Sequence, residues 1–300
     1  DEAHNLENIA TDYLSYEFSL IELTRLLNRL HRRPRTPKGR ASGVLAALAR
    51  AASAGHLKNA NIRNEIIRQA ESLGGRFNRL LTAAEGVFSR AALLLQPSRD
   101  GGMVRYDVKN GVRRHSVHGL FEAYGKEEWD ESDLHRAWTK FENEMANLVR
   151  FLHDLRDTLA PEAEEEGPSS AAADYAAQIQ GLADSLVAFA NAALFVLKGE
   201  KDTHAYWVER LHPEKHRVDV RRMSLRLVAA PLSVAKDLRQ MLYEVKDSVV
   251  LSSATLRVGN DFRYMAKRLG AKDDRFQTLV AQSPFNYLTQ SLVLASDWLP

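Results

Sequence analysis

Leu20, Leu23, Leu26, Leu27 and Leu30 recur at three- and four-residue spacings. That period fits one buried face of a helix and fits no strand. It predicts a single helix over LENIATDYLSYEFSLIELTRLLNRL (6–30), with Asn5 as its N-cap. The same period returns in VLAALARAASA (44–54) and in the segments 62–95, 130–159 and 169–197. Between them lie the connector RRPRTPKGRASG, with two prolines and two glycines, and the acidic Pro/Gly/Ser stretch 161–170. Long helices joined by such breaks predict an antiparallel, bundle-like domain.

Two regions depart from this pattern. Asn110-Gly111 stands between Val104, Tyr106, Val108 and Val112, which predicts a small β-hairpin near 104–114. From about residue 199 the runs shorten. HAYWVER and RRMSLRLVAAPL read as strands. SVAKDLRQMLYEV reads as a helix with Ser233 as N-cap, SVVLSSATL (248–256) as a buried strand, DFRYMAKRLGA as a helix and SLVLASDWLP as a strand. Strand–helix–strand alternation predicts part of an α/β sheet. The expected fold class is therefore mostly α, a helical domain joined to part of an α/β domain, with no internal repeat.

Charge excludes little by its total and more by its distribution. The formal net charge is +2, with 27% charged and 45% apolar residues. HRRPRTPKGR (31–40) holds five Lys/Arg and no acid, whereas PEAEEEG (161–167) holds four Glu and no base. With no cysteine, the chain has no disulfide, zinc-thiolate site or cluster ligand of its own. No apolar run is read as approaching the roughly 18 residues of a membrane span, so no membrane partner is expected.

Two short motifs carry chemistry. The first is Asp1-Glu2-Ala3-His4, adjacent carboxylates and a histidine. Read blandly, it is a solvated pair at a helix N-terminus, which the helix dipole favours. The second is VVLSSATL, where Val249, Val250 and Leu251 run into Ser252, Ser253, Ala254 and Thr255. Small hydroxyl residues beyond the carboxyl end of a parallel strand can bond neighbouring loops and phosphates. The bland alternative is a buried strand followed by a hydroxyl turn.

Together these motifs resemble helicase motif II, the Walker B DEAH, and motif III, the SAT. His4 and Ser253 are 249 positions apart with a helical region between them. That arrangement resembles the DinG/XPD-type superfamily 2 DNA helicases, in their bacterial DinG-like branch, and their helical Arch insertion. DEAHNLENIATDYLS, AYWVER, LVAAPLSVAKDLRQMLYEVKDSVVLSSATL and SPFNY followed by LVLASDWLP all resemble family segments. The resemblance implies an internal piece of a helicase. Residues 1–15 would end motif II, 16–198 would form the Arch-like domain, 199–285 would return to a RecA-like motor domain, and 286–300 would open the second motor domain.

The resemblance further implies roles. Asp1 would hold Mg²⁺ on the ATP phosphates, Glu2 would orient or deprotonate the attacking water, and His4 would link the site to other motifs. Ser253, Ala254 and Thr255 would couple hydrolysis to strand movement. No GxxxxGK[ST] occurs in the sequence, so the chain alone is expected to be inactive and the remaining motor segments to be partners. The parent would be a 5′→3′ DNA helicase in the bacterial cytoplasm, associated with the nucleoid. An iron–sulfur cluster, held in many relatives by four cysteines before motif II, would belong to the parent and not to this chain.

Single-stranded or forked DNA is the expected partner, held by basic grooves and aromatic platforms. Candidate contacts are Arg32, Arg33, Arg35, Lys38 and Arg40, and Arg105, Tyr106, Arg113 and Arg114 with Lys109 and His115 of the expected hairpin. The alternatives are solvated loops and, for the chain as a whole, a non-catalytic helical module that binds a partner protein.

Overall fold

The computed structural model describes residues 1–32, 34, 36, 39–94, 107–109, 112–116, 133–198, 203–211, 225–271, 275–282 and 284–290. The chain divides into two compact units, Asp12–Leu232 and the pair of segments Asp1–Thr11 and Ser233–Pro300.

In the larger unit the leucine period does what its spacing demands. Leu20, Leu23, Leu26, Leu27 and Leu30 are all buried, on helix α2 (Leu20–Leu30). The helix is shorter than the sequence suggests. The expected single helix over 6–30 is α1 (Leu6–Leu14), then strand β1 (Tyr16–Ser19), then α2. Ser19 forces the change. Its backbone is extended (φ −144°, ψ 151°), and its hydroxyl accepts the Glu22 N–H at 3.2 Å as the N-cap of α2. Phe18, one residue earlier, is fully buried, with its ring centroid 4.6 Å from Phe88, 5.5 Å from Phe141 and 5.6 Å from Phe189. A helical backbone would not hold Ser19 in this capping geometry.

The other helices of this unit among the described residues are α3 (Val44–Ser53), α4 (Ala60–Leu94), α5 (Asp133–Glu166) and α6 (Ala171–Lys198). Helix α5 packs against both α4 and α6, burying Phe141, Met145, Leu148, Leu152, Leu155 and Leu159 along one stripe. Gly43, at φ +100°, enters α3 where a Cβ would lie 2.6 Å from the Leu30 carbonyl oxygen. No side chain fits there, so Gly43 lies close to the end of α2.

A five-stranded antiparallel sheet completes the unit. Its order is β1-β5-β4-β3-β2, with β2 Asp107–Lys109, β3 Val112–Ser116, β4 His204–Leu211 and β5 Leu225–Pro231. Lys109 pairs with Val112 across Asn110-Gly111, two residues outside the described set. Strands β4 and β5 do not return to the other unit at 199, as the sequence suggests. Strand β5 pairs with β1 on one side and β4 on the other, and Leu225, Leu227 and Ala229 join the helical core. The division therefore falls after Leu232.

Helix α6 corrects another expectation. Residues 171–197 are long and apolar enough, by composition, to cross a membrane. Alanine supplies much of that character without a continuous run of large apolar residues. Within this unit α6 is a core helix, with Ile179, Leu182, Ala183, Leu186, Ala193 and Val196 buried.

The smaller unit holds a 3₁₀ turn (Ala3–Asn5), α7 (Ala235–Leu238) running into a π turn (Arg239–Tyr243), α8 (Arg263–Leu269) and α9 (Tyr287–Gln290). Asn5 ends the 3₁₀ turn, its N–H donating to the Glu2 carbonyl at 3.0 Å. Val234, not Ser233, is the N-cap of α7, though the Ser233 hydroxyl accepts the Ala235 N–H at 3.4 Å. The expected strand at 248–256 is irregular backbone, and Val250 is 87% exposed. No described strand of this unit lies beside it, and a strand without a ladder partner has nothing to satisfy its backbone. The strand expected at 291–300 lies outside the described residues.

Candidate functional site

The smaller unit brings the two chemical motifs together. The Ala3 N–H donates to the Ser252 carbonyl at 3.0 Å, which ties the 3₁₀ turn to the irregular 248–256 segment. The Ser252 hydroxyl donates to Asp1 Oδ1 at 3.0 Å, and the Glu2 N–H donates to the same oxygen at 2.9 Å. One residue on, His4 Nδ1 lies 2.7 Å from Ser253 Oγ and 3.1 Å from Glu2 Oε2. The Glu2 carboxylate can only accept, whereas the Ser253 hydroxyl can donate or accept, so the direction of the His4–Ser253 bond follows the ring tautomer. Ser253 Oγ also accepts the Thr255 N–H at 3.4 Å. Ala254 and Thr255 form an exposed turn beyond it.

Glu2 pays for this arrangement in backbone strain. At φ 52°, ψ 39° it is the one non-glycine residue with positive φ among those described. Such a residue costs on the order of 1–3 kcal/mol and persists where its surroundings over-determine it. Here the Asn5 N–H on its carbonyl and the two bonds that hold Asp1 do so. The Glu2 side chain is 67% exposed and the His4 side chain 39% exposed, so both face solvent that a substrate can displace.

Asp1 leaves one carboxylate oxygen open to a further ligand. Asp1 Oδ1 is occupied, whereas Oδ2 makes no hydrogen bond among the described residues. A hard, single carboxylate oxygen suits Mg²⁺ that takes its other ligands from phosphates and water. No described group of three His, Cys, Asp or Glu is placed to hold a metal by itself.

Outside this cluster, Glu7 in the first turn of α1 receives Arg268 of α8. Arg268 Nε donates to Glu7 Oε2 at 2.6 Å and Nη2 donates to the other oxygen. The carboxylate pushes the Arg268 pKa further up. On the same helix, Arg263 bonds Asp261 through its side chain and its N–H and holds that carboxyl below its ordinary range.

The basic candidates lie in the larger unit. Arg32 is half-buried and its backbone bridges Ser42 in both directions, at 2.7 and 3.0 Å. Arg40 is exposed. Arg33, Arg35, Lys38, Arg105 and Tyr106 lie outside the described residues. Arg113 and Arg114 are backbone positions on β3, paired with Val108 and Asp107.

Two residues of this neighbourhood do not stand out in the sequence. Ser252 reads there only as part of a hydroxyl run, yet it contacts both Asp1 and Ala3. Arg268 gives no signal, since its partner is 261 positions away.

No family model matches the chain. Two curated proteins match in part. One, 34% identical over 91 residues, is the 3′-5′ exonuclease DinG of Bacillus subtilis (strain 168); the match covers 30% of this chain and 9% of that protein. The other, 34% identical over 74 residues, is the ATP-dependent DNA helicase YoaA of Escherichia coli (strain K12), covering 25% and 11%. The matches thus span about a tenth of either relative. They support a relationship between part of this chain and these two proteins, one of which is an ATP-dependent DNA helicase.

Proposed function

We propose that the chain is part of an ATP-driven DNA helicase that moves 5′→3′ on single-stranded DNA in the bacterial cytoplasm. The observation that carries this reading is the 2.7 Å contact between His4 Nδ1 and Ser253 Oγ. It joins the two motifs whose chemistry the reading needs, across 249 positions of chain.

Bound Mg²⁺·ATP supplies the phosphoryl group and the charge that hydrolysis redistributes. Asp1 would hold the cation, while the Ser252 hydroxyl and the Glu2 N–H fix its Oδ1. Glu2 orients the attacking water and accepts its proton. His4 connects Glu2 to Ser253, so that a change at the nucleotide reaches the SAT turn. Ser253 and Thr255 pass it on to the DNA-binding parts.

The sequence contains no GxxxxGK[ST], so the phosphate cradle and its lysine belong to the rest of a longer protein. The exposed backbone at 248–253 supports the same reading. Apart from the Ser252 carbonyl, which the Ala3 N–H occupies, its backbone suits one strand of a RecA-like parallel sheet whose neighbours that protein supplies. The larger unit, helical with one sheet, then takes the place of the Arch insertion and guides the strand.

The test is an unwinding assay on the intact protein. A fork with a 5′ single-stranded tail is expected to be opened only with both ATP and Mg²⁺, and the 300-residue chain alone is expected to release no phosphate. Unwinding independent of ATP, or none on any tailed substrate, contradicts the reading.

A further inference from the structure

We propose that Arg268 is a positioning residue for ATP hydrolysis, acting through Glu7 on the turn that carries Glu2 and His4. The inference rests on the reading of Asp1–His4 as a Walker B motif.

The geometry is a two-point clamp. Arg268 Nε and Nη2 each donate to one oxygen of Glu7, the fork-to-fork arrangement that fixes direction as well as distance. An exposed ion pair is weak when its residues are free to move. This one is anchored at both ends. Glu7 stands on the first turn of α1, three residues after His4. Its side chain is only 20% exposed.

Arg268 stands on the last turn of α8, whose end is locked. Gly270 follows at φ +78°, where a Cβ would overlap the Ala235 carbonyl oxygen at 1.9 Å. The Arg239 Nε donates to the Gly270 carbonyl at 3.1 Å. The Arg268 guanidinium also lies 5.8 Å from the Tyr264 ring centroid.

The clamp therefore sets where α1 begins. The 3₁₀ turn Ala3–Asn5 leads directly into α1, and Glu2 sits at its head in a strained conformation. Releasing Glu7 frees that turn to relax without touching the carboxylates that bind and react. Such loss of support lowers the rate and leaves nucleotide binding largely intact.

The experiment measures DNA-stimulated phosphate release by the intact protein as Arg268→Ala, Glu7→Gln, the double variant, Arg268→Lys and Glu2→Gln. Either single variant is expected to lower kcat about tenfold with KM for ATP within about twofold. The double variant is expected to be no slower than the worse single one, because the two residues act through each other. Arg268→Lys, which keeps the charge and loses the fork, is expected to fall between.

Unchanged kcat in both single variants overturns the inference. So do additive losses in the double variant, a rise in KM in place of the fall in kcat, or a loss that follows a lowered melting temperature in Arg268→Lys as well. If Glu2→Gln turns over normally, the Walker B reading fails and the inference with it. If Glu2→Gln is dead and Arg268→Ala is not, only the inference fails.

Discussion

Glu2 holds a left-handed backbone that glycine would adopt without strain, and it holds it beside Asp1 and His4. Strain at one residue, fixed by neighbours on a distant segment, is how a site keeps a reactive group aimed before its substrate arrives. Ser252 is the distant partner of Asp1, and Ser253 that of His4. Removing the Ser253 hydroxyl leaves His4 bonded to Glu2 alone and cuts the link to the SAT turn. Ser253→Ala in the intact protein is therefore expected to keep DNA-stimulated ATP hydrolysis within about tenfold while losing strand separation, since coupling and not chemistry is removed. Parallel phosphate-release and fork-unwinding assays read the two quantities. Equal loss of both would give Ser253 a direct part in hydrolysis instead.

Strand β1 is the element on which the larger unit turns. Its four residues close the edge of the sheet, and Phe18 plugs the middle of the helical core among Phe88, Trp138, Phe141 and Phe189. Phe18→Ala is expected to destabilise this unit by about 3–5 kcal/mol, the cost of a buried aromatic and its cavity. Urea unfolding followed by circular dichroism measures it, and a loss below about 1 kcal/mol would mean that β1 packs loosely. In the smaller unit, Gly270→Ala is expected to be severe, because the added Cβ meets the Ala235 carbonyl oxygen at 1.9 Å at positive φ. A thermal shift too small to resolve would contradict that close approach. The helices around these elements are legible because leucine and alanine spacing writes their buried face directly into the sequence. Strand β1 is not, since YEFS sits between two helical patterns and only its pairing with β5 shows the switch. The irregular 248–253 segment misleads in the other direction. Three apolar residues in a row read as a buried strand, but a strand also needs a neighbour, which local sequence does not encode. In the same way Asp1, Glu2, His4 and Ser253 stand out as types in a pattern, whereas Ser252 and Arg268 owe their place to partners 251 and 261 positions away.

At the scale of the whole molecule, the two units carry different parts of the proposed work, chemistry in the smaller and strand guidance in the larger. For the larger unit the testable residues are those of the basic connector. If it tracks a phosphate backbone, replacing Arg32, Arg33 and Arg35 together by alanine is expected to weaken single-strand binding. It is also expected to flatten the log–log salt dependence by about 0.7 for each phosphate that is no longer neutralised. A salt titration of fluorescence anisotropy on the intact protein shows both, and an unchanged slope would leave the connector merely solvated. The central claim concerns the smaller unit, that Asp1 and Glu2 are the carboxylates of an ATP-hydrolysing site assembled from two ends of a long insertion. Glu2→Gln tests it most directly, because the amide keeps the shape and cannot accept a proton. DNA-stimulated phosphate release by the intact variant is expected to fall by about 10²–10⁴-fold while its affinity for ATP stays within about threefold. Turnover that survives the substitution, or ATP affinity that falls as far as the rate, would contradict the account.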